Sequence, residues 1–316
     1  MGEEECRYLS LYESLRKELL MLTIFSCPKP FRGHFNIIQK NAIESWKRLT
    51  PKPQIILFGN EEGAAEVTNE FGIYQISNME RNEFGTPLVN SLFQEAEKAA
   101  IFDHMCYVNA DIILMADFID ALKRVLAEMP HSLMVGRRWN LDVKEPLDFT
   151  TDWEQKLRAR VAQNGKLYPH FGIDYFVFPK GIWNEIPPFA VGRLGWDNWV
   201  LYQACSQKIP IIDLTKMTTV VHQNHDYSHH PQGWAGAMKG EESKRNLKLA
   251  GAVAQVYSLL DAQYQLTRTG VKRRVTPYYS PFYLYRHLVV LSESYPFLKP
   301  LVRLIKTTGN FFSSHQ

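Results

Sequence analysis

From residue 19 to residue 135, apolar runs of three to seven residues alternate with longer stretches of helical periodicity. That rhythm constrains the fold more than any other feature. The run 19–25 ends at Ser26-Cys27-Pro28-Lys29-Pro30, and the stretch 34–49 then carries Phe35, Ile38, Ala42, Trp46 and Leu49 on one helical stripe. Pro51 and Pro53 break the pattern before a strand over 54–58, closed by Gly59-Asn60. A helix over 61–71 stops at Gly72, and a short strand follows over 73–76. The next helix is expected over 86–100, with Thr86 as its cap and Pro87 at its first position. A strand over 105–108 runs into Asn109-Ala110-Asp111, then a helix over 118–129 and a strand over 133–135. Strands joined by helices in this order predict an α/β domain around a mostly parallel sheet. Ligands of such sheets bind beyond the carboxyl ends of the strands, which selects the loops 26–33, 59–62, 77–86, 109–114 and 136–142.

The second half is less regular. Helices are expected over 152–163, 196–205 and 241–264, and strands over 175–178, 209–213 and 218–222. The cysteines Cys6, Cys27, Cys106 and Cys205 form no CxxC pair, so a zinc knuckle or dithiol motif is excluded. No Walker loop, GxGxxG or GxSxG occurs. Any nucleotide phosphates must therefore be neutralised by a metal or by side chains. The net charge of +3 is uneven: 266–316 holds eight Lys or Arg and one acid, Glu293, leaving the rest of the chain acidic. A uniformly basic nucleic-acid binder is not what this describes.

Three constellations carry chemistry. Asp111 follows an apolar strand, where one carboxylate can hold a hard divalent cation against a diphosphate; the plain alternative is a turn or cap before the next helix. Asp197 lies between Trp196 and Trp199 after Gly195, where a helix N-terminus would keep it ionised as a proton acceptor and Trp196 could face a sugar. The alternative is a dipole-stabilising acid with both tryptophans in the core. His222, His225, His229 and His230 place four of the ten histidines within nine residues after a strand, a ligand set for a divalent metal or a solvated loop. Arg81, Arg137 and Arg138 sit in the loops beyond the strands and could meet phosphate; the plain alternative is a surface loop, followed after Arg81 by a capped helix.

In this order, Asn109-Ala110-Asp111, then Gly195-Trp196-Asp197, then His222, the chain resembles nucleotide-sugar glycosyltransferases of the GT-A fold, over roughly residues 19–230. Pro28-Lys29-Pro30-Phe31, Glu83-Phe84-Gly85-Thr86-Pro87 and Val108-Asn109-Ala110-Asp111 resemble a group of bacterial and plant glycosyltransferase-like proteins. The resemblance implies a Rossmann-like α/β sandwich over 19–235, between an N-terminal helical segment over 1–18 and a basic helical extension over 236–316. It implies a nucleoside-diphosphate sugar donor, uridine-linked by default, and Mn²⁺ or Mg²⁺ on Asp111 and His222, with His225 the alternative ligand. Phe25, Ser26, Arg81, Asn82, Thr86, Asn109, Ala110, Asp111, Arg137 and Arg138 would bind the donor, and Asp174 and Trp196 would face the sugar or acceptor. Asp197 would be the base, with inversion as the favoured outcome. Asn109 stands where the family's first Asp would be, which costs the site one negative charge. A metal-dependent phosphoesterase using the same histidines would need more acids than Asp226 supplies; a non-catalytic nucleotide-binding chain would turn nothing over.

The tail joins Lys272, Arg273 and Arg274 to Tyr278, Tyr279, Phe282, Tyr283 and Tyr285, then mixes Leu and Val with Arg286, Lys299, Arg303 and Lys306. Basic amphipathic helices of this kind lie on anionic membranes or pack as a subdomain. The expected setting is cytoplasmic, at the inner face of a membrane, with a glycan or lipid-linked acceptor and no nucleic acid.

Overall fold

A computed structural model describes residues 21–226, 233–254, 256–274 and 281–308. The helix expected over 1–18 lies outside them. The opening alternation is as expected: β1 (Leu22–Ser26), α1 (Gly33–Lys47), β2 (Gln54–Phe58), α2 (Ala64–Phe71), β3 (Tyr74–Ile76), α3 (Val89–Ala99) and β4 (His104–Val108). A two-residue β5 (Ile112–Ile113) precedes α4 (Ala116–Glu128). Next come β6 (Leu133–Val135), β7 (Trp139–Leu141), α5 (Trp153–Asn164), β8 (Lys166–Leu167) and β9 (Tyr175–Pro179). They lead to α6 (Trp196–Ser206), β10 (Ile211–Asp213), β11 (Val221–Gln223), α7 (Gly233–Lys239) and α8 (Glu241–Ala254). The described elements end with β12 (Tyr264–Thr267), β13 (Gly270–Arg273), α9 (Pro281–Ser294) and α10 (Lys299–Thr308).

Nine strands form one sheet in the order β13-β12-β10-β6-β9-β4-β1-β2-β3. It is parallel from β3 through β4 and from β6 through β12, while β9 runs antiparallel between β4 and β6. Both faces are covered, so β1 and β2 are buried along their whole length. Alternate residues feed the two faces. Ile24, Leu57, Cys106 and Val177 pack with Trp46 of α1 and Phe118 of α4. Phe25, Ile56, Tyr107 and Phe178 pack with Phe93 of α3 and Trp199 of α6. The result is the expected sandwich with a mostly parallel central sheet. A second sheet, β5-β11-β7-β8, sits beyond the carboxyl end of β4.

Three boundaries differ. The helix expected at 86–100 starts at Val89, because Arg81 bridges to Pro87 and Leu88 to Ala190, which holds the backbone before it extended. Thr86 is therefore not its cap. The helix expected over 241–264 ends at Ala254, with Gly251 already non-helical at φ 73°. Tyr264 begins a strand paired with β10, so the main sheet continues past the domain boundary expected at 235. The tail is a helical hairpin. Tyr285, Val289 and Ser292 of α9 are buried, and Arg286 pairs with Asp261 and lies over the Tyr257 ring. Its outer side exposes Leu291, Tyr295, Phe297, Leu301 and Leu304. No described helix is long and apolar enough to cross a membrane. Tyr278, Tyr279, His229 and His230 lie outside the described residues.

Candidate active site

Asp111 stands three residues past the end of β4, where the chain turns into β5. β5 pairs with β11, opposing Ile112 to His222, and so brings a segment about 110 residues away beside the aspartate. The Gln223 backbone N–H donates to the Asp111 carbonyl, and its buried side-chain amide donates to the same carbonyl and to that of Ile38. Asn41 of α1 in turn donates to Gln223. This internal network fixes the aspartate's backbone to α1 and β11 at once.

The Asp111 Oδ2 atom lies 3.0 Å from His225 Nε2 and 4.0 Å from His222 Nε2. Ligand atoms of all three residues fall within 4.8 Å of one another. Both histidines thus share the cluster that had been expected to use His222 or His225. Among buried polar atoms, Asp111 Oδ1 and His222 Nδ1 have no hydrogen-bond partner. The Asp111 oxygen is an unsatisfied acceptor that an ion would satisfy; the His222 atom is the ring nitrogen other than the one nearest Asp111. Burial pushes the His222 imidazole down to about 4 despite the pull of Asp111, leaving a neutral ring with a lone pair to offer. Burial works against ionisation of Asp111, but His222, His225 and Lys29 outweigh it and hold the carboxyl far below its usual range. His225 Nδ1 lies 2.7 Å from the Asp226 carbonyl; donating there leaves Nε2 as the ligand atom. One carboxylate and two imidazoles suit a borderline divalent ion such as Mn²⁺.

A second carboxylate lies at the same rim. β9 runs against β4, pairing Tyr175 with Val108, so Asp174 arrives beside Asn109. Asp174 is 5% exposed, accepts from Asn109 Nδ2 at 2.8 Å and forms a short ion pair with Arg138. Arg138 stacks on the Tyr168 ring, 4.1 Å from its centroid, and is within electrostatic reach of Asp111 as well. Asp197, at the start of α6, feels both Asp174 and Arg138. Burial pushes its carboxyl up to about 6, and the Asp174 charge adds to this; the backbone N–H groups of Asn198 and Asp197 oppose the rise without cancelling it. The helix N-terminus acts in the expected direction, its backbone N–H groups favouring the ionised form, but burial outweighs it and the carboxyl stands above the usual carboxylate range.

Other expected site residues are placed differently. Trp196 is 5% exposed and edge-on to Tyr107 at 5.1 Å, so it is core rather than a sugar platform. Phe25 is fully buried against Phe93 and Tyr107, and the Ser26 hydroxyl donates to the Val108 carbonyl, both inside the sheet. Their side chains are thus removed from any donor. Asn109 spends its side chain internally, accepting from Tyr107 and donating to Asp174. Ala110 is buried. Asn82 donates to Glu242 of α8, which Thr86 also contacts and which pairs with Arg193 at 2.7 Å. The Arg137 guanidinium donates to the Tyr168 carbonyl. Arg81 remains at the rim beyond β2, paired with Glu61 at 2.9 Å.

Three residues were missed in sequence: Lys29, Gln223 and Asn41. Gln223 and Asn41 look like ordinary polar positions, and nothing in their spacing marks them. Lys29 had a signal in the prolines on both sides of it.

No family model matches the sequence, and no curated protein matches it. Among solved structures the chain is similar to GalNAc-T7 with UDP, GalNAc and Mn²⁺, at 16% identity and a TM-score of 0.44. That match covers 66% of this chain and 44% of the other, so this chain spans less than half the length of that protein. It is also similar to the mannosyltransferase PcManGT from Pyrobaculum calidifontis in complex with GDP-Man and Mn²⁺, at 13% identity and a TM-score of 0.45, covering 92% and 76% of the two chains. A third likeness, to S. aureus TarS 1–349 in complex with UDP-GlcNAc, has 8% identity and a TM-score of 0.30 over 39% of this chain and 35% of that one.

Proposed function

We propose that this chain is a divalent-metal-dependent glycosyltransferase of the GT-A type. It moves a sugar from a nucleoside-diphosphate donor, uridine-linked by preference, to an acceptor hydroxyl with inversion. The observation that carries this is the pair of unlike carboxylates on one rim: Asp111 held ionised among His222 and His225, and Asp197 raised to about 6. A transfer from a diphosphate needs both, one to anchor the leaving group and one to take a proton. A divalent cation on Asp111, His222 and His225 would neutralise the charge that builds on the departing diphosphate.

The chain's own residues supply the rest. Arg81, beyond β2, offers a guanidinium to the donor phosphates. Arg138, locked by Asp174 and Tyr168, keeps positive potential between the two carboxylates. Asp197 accepts the proton from the acceptor hydroxyl as that oxygen attacks the anomeric carbon and the bond to the diphosphate breaks on the opposite face. A carboxyl raised to about 6 is a stronger base than an exposed one and is still mostly ionised at pH 7. The exposed Leu291, Tyr295, Phe297, Leu301 and Leu304, beside exposed Lys299 and Arg303, suit an acceptor presented at an anionic lipid surface.

Calorimetric titration with a panel of nucleoside diphosphates, with and without Mn²⁺, tests the reading. Metal-dependent binding of one nucleotide is expected, weakened about 100-fold by Asp111→Ala. Release of free sugar from a donor at full rate without acceptor would instead identify a hydrolase.

A further inference from the structure

Lys29 lies in the loop between β1 and α1, held with unusual rigidity for a loop lysine. Pro28 and Pro30 restrict the backbone on both sides. The buried Gln39 side chain grips the Lys29 peptide twice: its Oε1 accepts from the Lys29 N–H at 2.6 Å, and its Nε2 donates to the Lys29 carbonyl at 2.9 Å. The ammonium then rests 4.7 Å from the centroid of the Phe35 ring and 3.4 Å from His225 Nε2. It also interacts with the charges of Asp111, Asp226 and Arg193. Arg193 is itself neutralised by Glu242.

A lysine clamped against a ligand atom of a cation cluster alters what the cluster accepts. Lys29 offsets one of the two carboxylate charges acting on it, Asp111 and Asp226, so the cluster offers an entering cation less negative charge than its carboxylates alone would. A bare divalent ion would sit beside a fixed ammonium in a water-poor pocket, where like charges repel strongly. A diphosphate removes the conflict, since its oxygens can face the ion and the ammonium together.

We infer that Lys29 makes the Asp111–His222–His225 cluster selective for a cation–diphosphate pair over the bare cation, and that its ammonium contacts the diphosphate in that pair. This rests on the function proposed above. It predicts strong mutual coupling, each partner raising the affinity of the other by the same factor.

The test measures free Mn²⁺ by electron paramagnetic resonance, with and without UDP, on the full chain, Lys29→Met and Lys29→Arg. Wild type should bind Mn²⁺ alone weakly and at least tenfold more tightly with UDP. Lys29→Met should bind Mn²⁺ alone at least tenfold more tightly than wild type and lose most of the enhancement by UDP. Lys29→Arg, which keeps the charge, should keep the coupling; this separates charge from any loss of fold in the methionine variant. Equal Mn²⁺ affinity in wild type and Lys29→Met without nucleotide would overturn the inference, even if UDP binding survives and supports the proposed function. Tighter Mn²⁺ binding in Lys29→Met with no binding of UDP or any other nucleoside diphosphate would leave the ammonium's effect on the cation standing. It would overturn both the diphosphate contact and the transferase function.

Discussion

Asp111 and Asp197 are two partly or fully buried aspartates near one rim of one sheet, yet their surroundings drive them in opposite directions. Asp111 faces two imidazoles and a lysine and is held ionised far below the usual range. Asp197 sits at the start of a helix, but burial and the neighbouring Asp174 lift it to about 6. Position at a strand or helix end did not decide either outcome: burial decided it for Asp197, and partners brought in by distant segments decided it for Asp111. Such divergence is how one pocket obtains an anion for a metal and a base for a proton.

The largest expected effect comes from removing the base. Asp197→Asn should lower turnover by roughly 10²- to 10⁴-fold while nucleotide affinity stays within a few-fold, and steady-state rates with calorimetry on one preparation check both. If turnover barely moved, the contrast between the two aspartates would have no catalytic meaning. Next, Asp111→Ala should weaken Mn²⁺-dependent nucleotide binding by about 100-fold, since removing a supporting residue alone costs 10–100-fold in metal affinity. The same titration with EDTA added to wild type should reproduce the loss.

A smaller effect concerns pH. The ionised form of Asp197 is the base, so kcat should fall as pH drops through about 6, by about tenfold for each unit below it. An acid limb near 4 instead would place Asp197 in ordinary surroundings. Stability moves the other way. A carboxyl that titrates higher folded than unfolded binds its proton more tightly in the folded state, so stability falls as pH rises from about 4 to 6 and stays lower above that. Asp197→Asn should therefore cost little or nothing in Tm at pH 7.5, even as activity collapses. Smallest of all, Phe297→Ser with Leu304→Ser should leave turnover on a soluble acceptor unchanged while reducing flotation with vesicles containing anionic lipid. Equal flotation would separate the tail from any membrane.

The amino-terminal alternation was readable because β1, β2 and β4 are short apolar runs buried on both faces, and periodicity reports burial directly. Leu133–Val135 and Gln54–Phe58 matched to the residue. Thr86 and Pro87 misled because the local cap signal lost to a bridge with Ala190, about a hundred residues away. Trp196 misled because an aromatic beside an acid looks the same in sequence whether it faces solvent or Phe93 and Phe176. Of the site, Asp111 and His222 were visible from strand-end position and residue type. The Arg138–Asp174 pair and the grip of Gln39 on Lys29 were not, since each joins segments whose meeting depends on the folded topology.

The reversed direction of β9 has a further consequence. Its first residues reach the same rim where β4 ends, so the pairing of Val108 with Tyr175 acts as a gauge that sets the distance between Asn109 and Asp174. Side chains alternate along a strand, so a slip of one residue would turn Asp174 away and leave Arg138 facing an aromatic. A single-residue insertion in this segment would thus disconnect the rim while leaving most of the sheet intact. The spacing of the pocket is written in the hydrogen-bond register of two neighbouring strands, and loop lengths elsewhere are free to vary around it.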